Sequence, residues 1–184
     1  MKSKTKAVII KVCISGLFLM HETPSIALIR DFRQPVYINS EKQMVNLQNN
    51  TATASGNVHV TQGTIKILAT KVIMMRPNGD NKKMIVDAYG NLTTFYQMQD
   101  NHASVQGSAK KIHYELENNK IELIGNACLR QLHSRIQCDH LVYLMKEQKI
   151  QAISNHDHRI TTILMPSELK NNYKPYIPLK SKNY

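Results

Sequence analysis

From residue 35 onward, apolar and polar residues alternate one by one through most of the chain. Ile112, Tyr114 and Leu116 alternate with His113, Glu115 and Glu117; past Asn118-Asn119, Ile121 and Leu123 alternate with Lys120 and Glu122. A period of two puts every second side chain on one face of a strand, so this stretch predicts two strands joined by a hairpin at Asn118-Asn119. Beyond the first 27 residues no segment sustains a helical period, and Pro77-Asn78-Gly79-Asp80 marks a long turn.

The pattern recurs. "LQNNTATASGN" at 47–57 returns 69 residues later as "LENNKIELIGN" at 116–126. The same shift carries Val45 to Tyr114, Gln62 to Gln131, Ile67 to Ile136, Ala69 to Cys138 and Val72 to Leu141 without a gap. A third Gly-Asn, Gly90-Asn91, falls about midway. The unit is therefore nearer 30 to 40 residues, roughly the length of one strand pair in a stack. An irregularity recurs with it: the apolar parity slips between Ala69 and Val72, between Ala109 and Ile112, and between Cys138 and Leu141. A one-residue slip turns later side chains to the other face, so each slip predicts a bulge or bend where a strand rounds a corner. The expectation is an all-β sandwich or roll folded over an inside.

The N-terminus decides the compartment. Lys2, Lys4 and Lys6 precede the mostly apolar run Val12 to Met20, and Ser25-Ile26-Ala27 is a small-x-small cleavage site. This is the pattern of a secretory signal cleaved after Ala27, with an apolar run short of the ~20 residues that span a bilayer. Residues 1–27 are thus expected to be removed, 28–165 to form the β domain, and 166–184 to be a basic tail without structure of its own. Removal takes away four Lys and one Glu, leaving 20 basic and 12 acidic residues and a net charge of +8. In an exported chain that balance points away from nucleic acid and toward lipid phosphate, acidic glycan or another anionic surface.

Little in the sequence points to catalysis. His156-Asp157-His158 offers two imidazoles on one face of an extended segment and a carboxylate on the other, a poor metal set. There is no serine in a nucleophile elbow, no phosphate-cradling glycine loop, and no interleaving of basic and aromatic residues. The expectation is no enzyme, no metal, no cofactor and no nucleic acid partner. Cys128 and Cys138 leave two arrangements open: a hairpin centred on His133 makes them cross-strand neighbours, and a continuous strand holds them roughly 33 Å apart. Two free thiols are the expected state.

"GNVHVTQGTIKILATKV", "DAYGNLTTFYQMQD", "YELENNKIELIGNACL", "YLMKEQKIQAIS" and "TTILMPSEL" together resemble the OstA-like family of periplasmic lipopolysaccharide-transport proteins. The similarity runs from the signal to about Leu169. It implies a slightly twisted antiparallel β-jellyroll, open at both ends, that carries lipopolysaccharide from the inner to the outer membrane. The implied partners are an inner-membrane anchor protein of the transport complex and the periplasmic domain of the outer-membrane translocon. The rival expectations are a carrier of another lipid and a periplasmic module that binds only proteins.

Such a cargo needs an apolar trough with a basic rim. By alternation the inward candidates are Val36, Ile38, Val45, Leu47, Phe95, Ile112, Tyr114, Leu116, Leu141 and Tyr143. Arg76, Lys82 and Lys83 flank a strand end where a phosphate could sit. An open stack also has two unpaired edges, each a template for strand addition. Val36, Tyr37 and Ile38 mark the N-terminal edge, and Ile160, Ile163 and Leu164 the C-terminal one. Because the two edges differ, their contact would be heterologous and would build a head-to-tail homo-oligomer.

Overall fold

The alternating segments form strands throughout the computed structural model, which describes residues 30–100, 102–155 and 158–166. The predicted signal segment, His156-Asp157 and nearly all of the predicted tail lie outside the described residues. In chain order the strands are β1 (Tyr37–Asn39), β2 (Lys42–Asn46), β3 (Thr51–Gln62), β4 (Ile65–Met75), β5 (Ile85–Met98), β6 (Ser104–Glu115), β7 (Lys120–Gln131), β8 (Ser134–Leu144), β9 (Lys149–Ile153) and β10 (Thr161–Ile163). They form one antiparallel sheet in which β3 to β8 follow one another in sequence order. β1 and β2 share the free side of β3, and β9 and β10 share that of β8. The all-β expectation holds, as does the stack of strand pairs with two open ends.

The repeat is structural. Displacing the bounds of β3 and β4 by 69 residues gives those of β7 and β8 without adjustment. The Asn-Asn pairs close the turns before β3 and β7, with Asn50 and Asn119 left-handed at φ 51° and 48°. The Gly-Asn pairs do something else. Gly56 and Asn57 have φ 77° and 42°, and Gly125 and Asn126 have 79° and 52°. Two successive left-handed residues cannot continue a pleat, and glycine with asparagine is the pair that tolerates them. The ladder accordingly breaks between Ser55 and Val58 and between Ile124 and Ala127. Gly90-Asn91 lies in a third break, between Tyr89 and Thr93, without positive φ. Facing strands break where the parity slips, between Leu68 and Lys71 and between Ser108 and Lys111.

Every long strand is therefore bent near its middle, and its halves belong to two facing layers. The first layer holds 51–55, 71–75, 85–89, 111–115, 120–124 and 140–144; the second holds the opposite halves. Phe95 of the second layer meets Tyr143 of the first edge-on, with centroids 6.3 Å apart and rings at 65°, a favourable aromatic geometry. Between the layers lies one apolar core, in which Val58, Ile67, Ile112, Ile121, Leu123 and Leu141 have no exposed surface.

Candidate functional site

In the first layer the interior is packed around β7 and β8 and open around the matching halves of β3 and β4, and the repeat explains the difference. Inward positions Ile121, Leu123, Leu141 and Tyr143 of the second copy correspond to Ala52, Ala54, Val72 and Met74 of the first. The smaller set leaves a groove of about 280 Å³ walled by Val36, Ile38, Val45, Ala54, Val72 and Met74. An adjoining groove of about 610 Å³ shares Val36, Asn81 and Met84 with it and adds Phe32, Gln62 and Leu116. Val36 and Ile38 are half-buried and pack on the core, presenting apolar surface from the edge of the sheet into this space.

The structure divides the predicted inward set into three. Val36, Ile38 and Val45 line the trough, although Val45 is 59% exposed, and Leu116 lines its continuation. Phe95, Ile112, Tyr114, Leu141 and Tyr143 are fully buried core. Leu47 departs from expectation. It is 77% exposed in the turn that follows β2, because the alternation that placed it inward stops where the strand does. Ala52, Ala54, Met74 and Met84 belong to the site but were not among the candidates. Comparing the two repeat copies for side-chain size, rather than searching one copy for large apolar residues, would have found the first three.

The basic trio does not converge. Arg76 stands at the trough, its guanidinium donating to the Asn81 Oδ1 at 3.3 Å. Lys82 borders the adjoining groove, and Lys83 borders a separate depression with Ile85 and Glu115. Both lysines are exposed in a 3-10 turn capped by Asp80, which accepts from the Lys82 amide at 2.8 Å.

Polar groups cross the interior where the tips of the two layers meet. Tyr114 donates to Gln62 Oε1 at 2.7 Å, and Gln62 Nε2 donates to the Gln34 carbonyl at 3.1 Å. Gln99 Nε2 donates to the Tyr143 hydroxyl at 3.3 Å, and Gln131 Nε2 to Gln99 Oε1 at 2.6 Å. Burial, with the Asp31 carboxylate nearby, pushes the Tyr114 phenol far up, and burial raises that of Tyr143. Both stay protonated, Tyr114 as the donor to Gln62 and Tyr143 as the acceptor from Gln99.

The outer face of the first layer carries an ion ladder. Asp87 binds Lys111 at 3.1 Å and His113 at 2.7 Å, Lys120 bridges Glu115 and Glu122 at 2.7 and 2.8 Å, and His140 meets Glu122 at 2.9 Å. His113, Glu115 and Glu122 present ligand atoms within 4.8 Å of one another, but the Lys120 ammonium already supplies the cation between the two carboxylates. His158, the described member of His156-Asp157-His158, pairs with Asp139 at 3.0 Å. Of the two arrangements open for the cysteines the hairpin is the one formed, with its turn at Leu132-His133. Cys138 faces Ala127 and lies inward, whereas Cys128 faces Gln137 and lies on the outer surface, so both are free.

The exposed apolar surface is concentrated at the sheet's ends. Of thirteen large apolar side chains exposed among the described residues, ten belong to or directly flank the edge strands, including Tyr37, Met44, Ile150, Ile160, Ile163 and Leu164. That concentration sets the two edges apart from the rest of the described surface. β2 and β9 form half of each edge, and neither was in the predicted edge set.

Residues 37–149 match the family described as LptA/(LptD N-terminal domain) LPS transport protein. The chain is 44% identical over 183 residues to the lipopolysaccharide export system protein LptA of Escherichia coli K12, covering 99% of each. Against the protein of the same name from Haemophilus influenzae it is 37% identical over 161 residues, 87% of this chain and 94% of the relative. Its fold matches that of LptH, the LptA homologous periplasmic component of the lipopolysaccharide transport device of Pseudomonas aeruginosa, with TM-score 0.68 and 20% identity over 74% of this chain and 99% of that one.

Proposed function

We propose, from the premise that this chain belongs to the LptA/LptD N-terminal family of lipopolysaccharide transport proteins, that it carries lipopolysaccharide through the periplasm toward the outer membrane. It is a carrier and not an enzyme. The observation that carries this reading is the trough left by Ala52, Ala54, Val72 and Met74, which opens beside Ile38 of edge strand β1 and Val36 just before it. Acyl chains entering it gain about 0.8 kcal/mol per methylene removed from water. Arg76 at its border supplies a cation for a phosphate that stays charged.

Periplasmic delivery follows from the secretory signal ending at Ala27, with residues 28–165 as the working domain and 166–184 as a basic tail. The two exposed edges support strand addition. Through them the chain would join an inner-membrane anchor protein on one side, the periplasmic domain of the outer-membrane translocon on the other, and further copies of itself head to tail. Mass spectrometry of whatever lipid leaves the periplasm with detergent-free protein tests the assignment. Lipopolysaccharide is expected; phospholipid alone would make the chain a carrier of another lipid, and an intact fold with no amphiphile would make it a protein-binding module.

A further inference from the structure

The inward ends of the second-layer strands form a row that alternates glutamine with aliphatic residues. Gln62 pairs with Ile65, Gln97 with Val105, and Val105 with Gln131. The β4–β5 register that pairs Lys66 with Tyr96 sets Ile65 beside Gln97. The three glutamines stand two strands apart, roughly 9.5 Å at the usual strand spacing. The outer two are satisfied: Gln62 by Tyr114 and the Gln34 carbonyl, Gln131 by Gln99. The middle one is not. Gln97 has no exposed surface, and neither its amide nitrogen nor its carbonyl oxygen has a hydrogen-bond partner.

A buried amide left unpaired is a standing cost to the free protein, and an apolar residue of similar volume would avoid it. Gln97 lies on the same inward face as Phe95 and Gln99, the two residues that touch Tyr143 across the core. For a ligand to reach this face the layers must part from the trough side, where Gln62 borders the groove. Parting breaks the Tyr114–Gln62 and Gln99–Tyr143 bonds, but Gln97 has no bond to lose and one to gain.

Resting on the lipopolysaccharide reading, we infer that Gln97 is a specificity-determining residue of the loaded state. Its amide binds the polar linkage groups at the head of the acyl chains, the ester and amide carbonyls and the chain hydroxyls. Hydrocarbon that lacks those groups gains nothing from it. The glutamine row then forms a polar layer between the buried chains and the sugars, with Gln62 and Gln131 tied to the protein and Gln97 reserved for cargo.

Two variants of the mature protein test this, Gln97→Leu and Gln97→Met, the second matched in length in case leucine leaves a void. Melting without lipid and titration with purified lipopolysaccharide are the readouts. Both variants should melt at or above the wild-type temperature and bind about tenfold more weakly, the loss of one hydrogen bond of ordinary strength. Lower melting in both variants would mean that the protein itself satisfies the amide, and overturns the inference. Unchanged binding overturns it as well and leaves the transport reading standing. Wild-type protein that fails to bind lipopolysaccharide removes the transport reading and this inference with it.

Discussion

Ala54 and Leu123 occupy the same place in the two copies of the repeat, Ala54 opposite Val72 and Leu123 opposite Leu141, and the difference in their size decides where the roll is open. Ala54 is 4% exposed and borders the groove; Leu123 is fully buried in the packed end. Ala54→Leu should therefore fill existing space. Its effect on urea-unfolding stability should stay under about 1.5 kcal/mol, as for volume changes a site can absorb, while lipopolysaccharide loading falls sharply. A loss of about 3 kcal/mol or more, as from overpacking a filled core, would show that the groove is not open space.

The ion ladder predicts how stability depends on pH. Burial alone would raise the carboxyls of Glu115 and Glu122, but Lys120 together with Asn118 and His113 holds the first below the usual range, and Lys120 with His140 holds the second there. A carboxylate depressed in the folded state contributes stability above its unfolded value, here 4.5, and that contribution is lost as pH falls through the folded value. Urea midpoints should be level near neutrality and drop below about pH 4.5. Lys120, held up chiefly by its bonds to Glu115 and Glu122, loses its contribution only on the alkaline side as its raised pKa is passed. Lys120→Met should cost about 1 kcal/mol at pH 7 and flatten the acid limb; an unchanged limb would mean that other groups set it.

The edges predict assembly. Ile163 and Leu164 are exposed beside β8's free side, and Tyr37 and Met44 beside β3's. Analytical ultracentrifugation from micromolar to near-millimolar protein should show end-to-end oligomers that grow with concentration. Ile163→Pro, or truncation before Ile160, should suppress them, since the added strand depends on backbone donors. A wild-type chain that stays monomeric throughout, or a closed dimer that ignores both changes, contradicts heterologous edge pairing.

What was legible in the sequence follows from what alternation measures. Parity and its slips report backbone direction, so the strands, the Asn-Asn turns and the corners after Ala69, Ala109 and Cys138 could be read from one chain. The left-handed Gly-Asn pairs at 56–57 and 125–126 that break the ladder keep no parity to read. Parity reports a face but not whether the space there is filled. Tyr114 and Val36 thus looked alike, though one is sealed core and the other walls a groove. It also fails where a strand stops, which misplaced Leu47. The glutamine row escaped notice for a third reason. Gln62, Gln97 and Gln131 share the inward parity of Val60, Phe95 and Leu129, but a polar residue at a strand end reads as solvated until the opposite layer is in place.

The central claim is that cargo enters between the layers at the N-terminal edge, and adjacent residues of β1 test it. Ile38 is half-buried and lines the trough, whereas Tyr37, one residue away on the opposite face, is 66% exposed. Val36→Asp or Ile38→Asp should cost about 3 kcal/mol of binding or more with the fold retained by circular dichroism and melting. More directly, a photoreactive phenylalanine derivative can be placed singly at Val36, Tyr37 or Ile38 and irradiated in cells, with adducts detected by antibody to lipopolysaccharide. The account predicts adducts from Val36 and Ile38 and essentially none from Tyr37. Adducts from Tyr37 as strong as those from Ile38, or none from any of the three in folded protein, would contradict it.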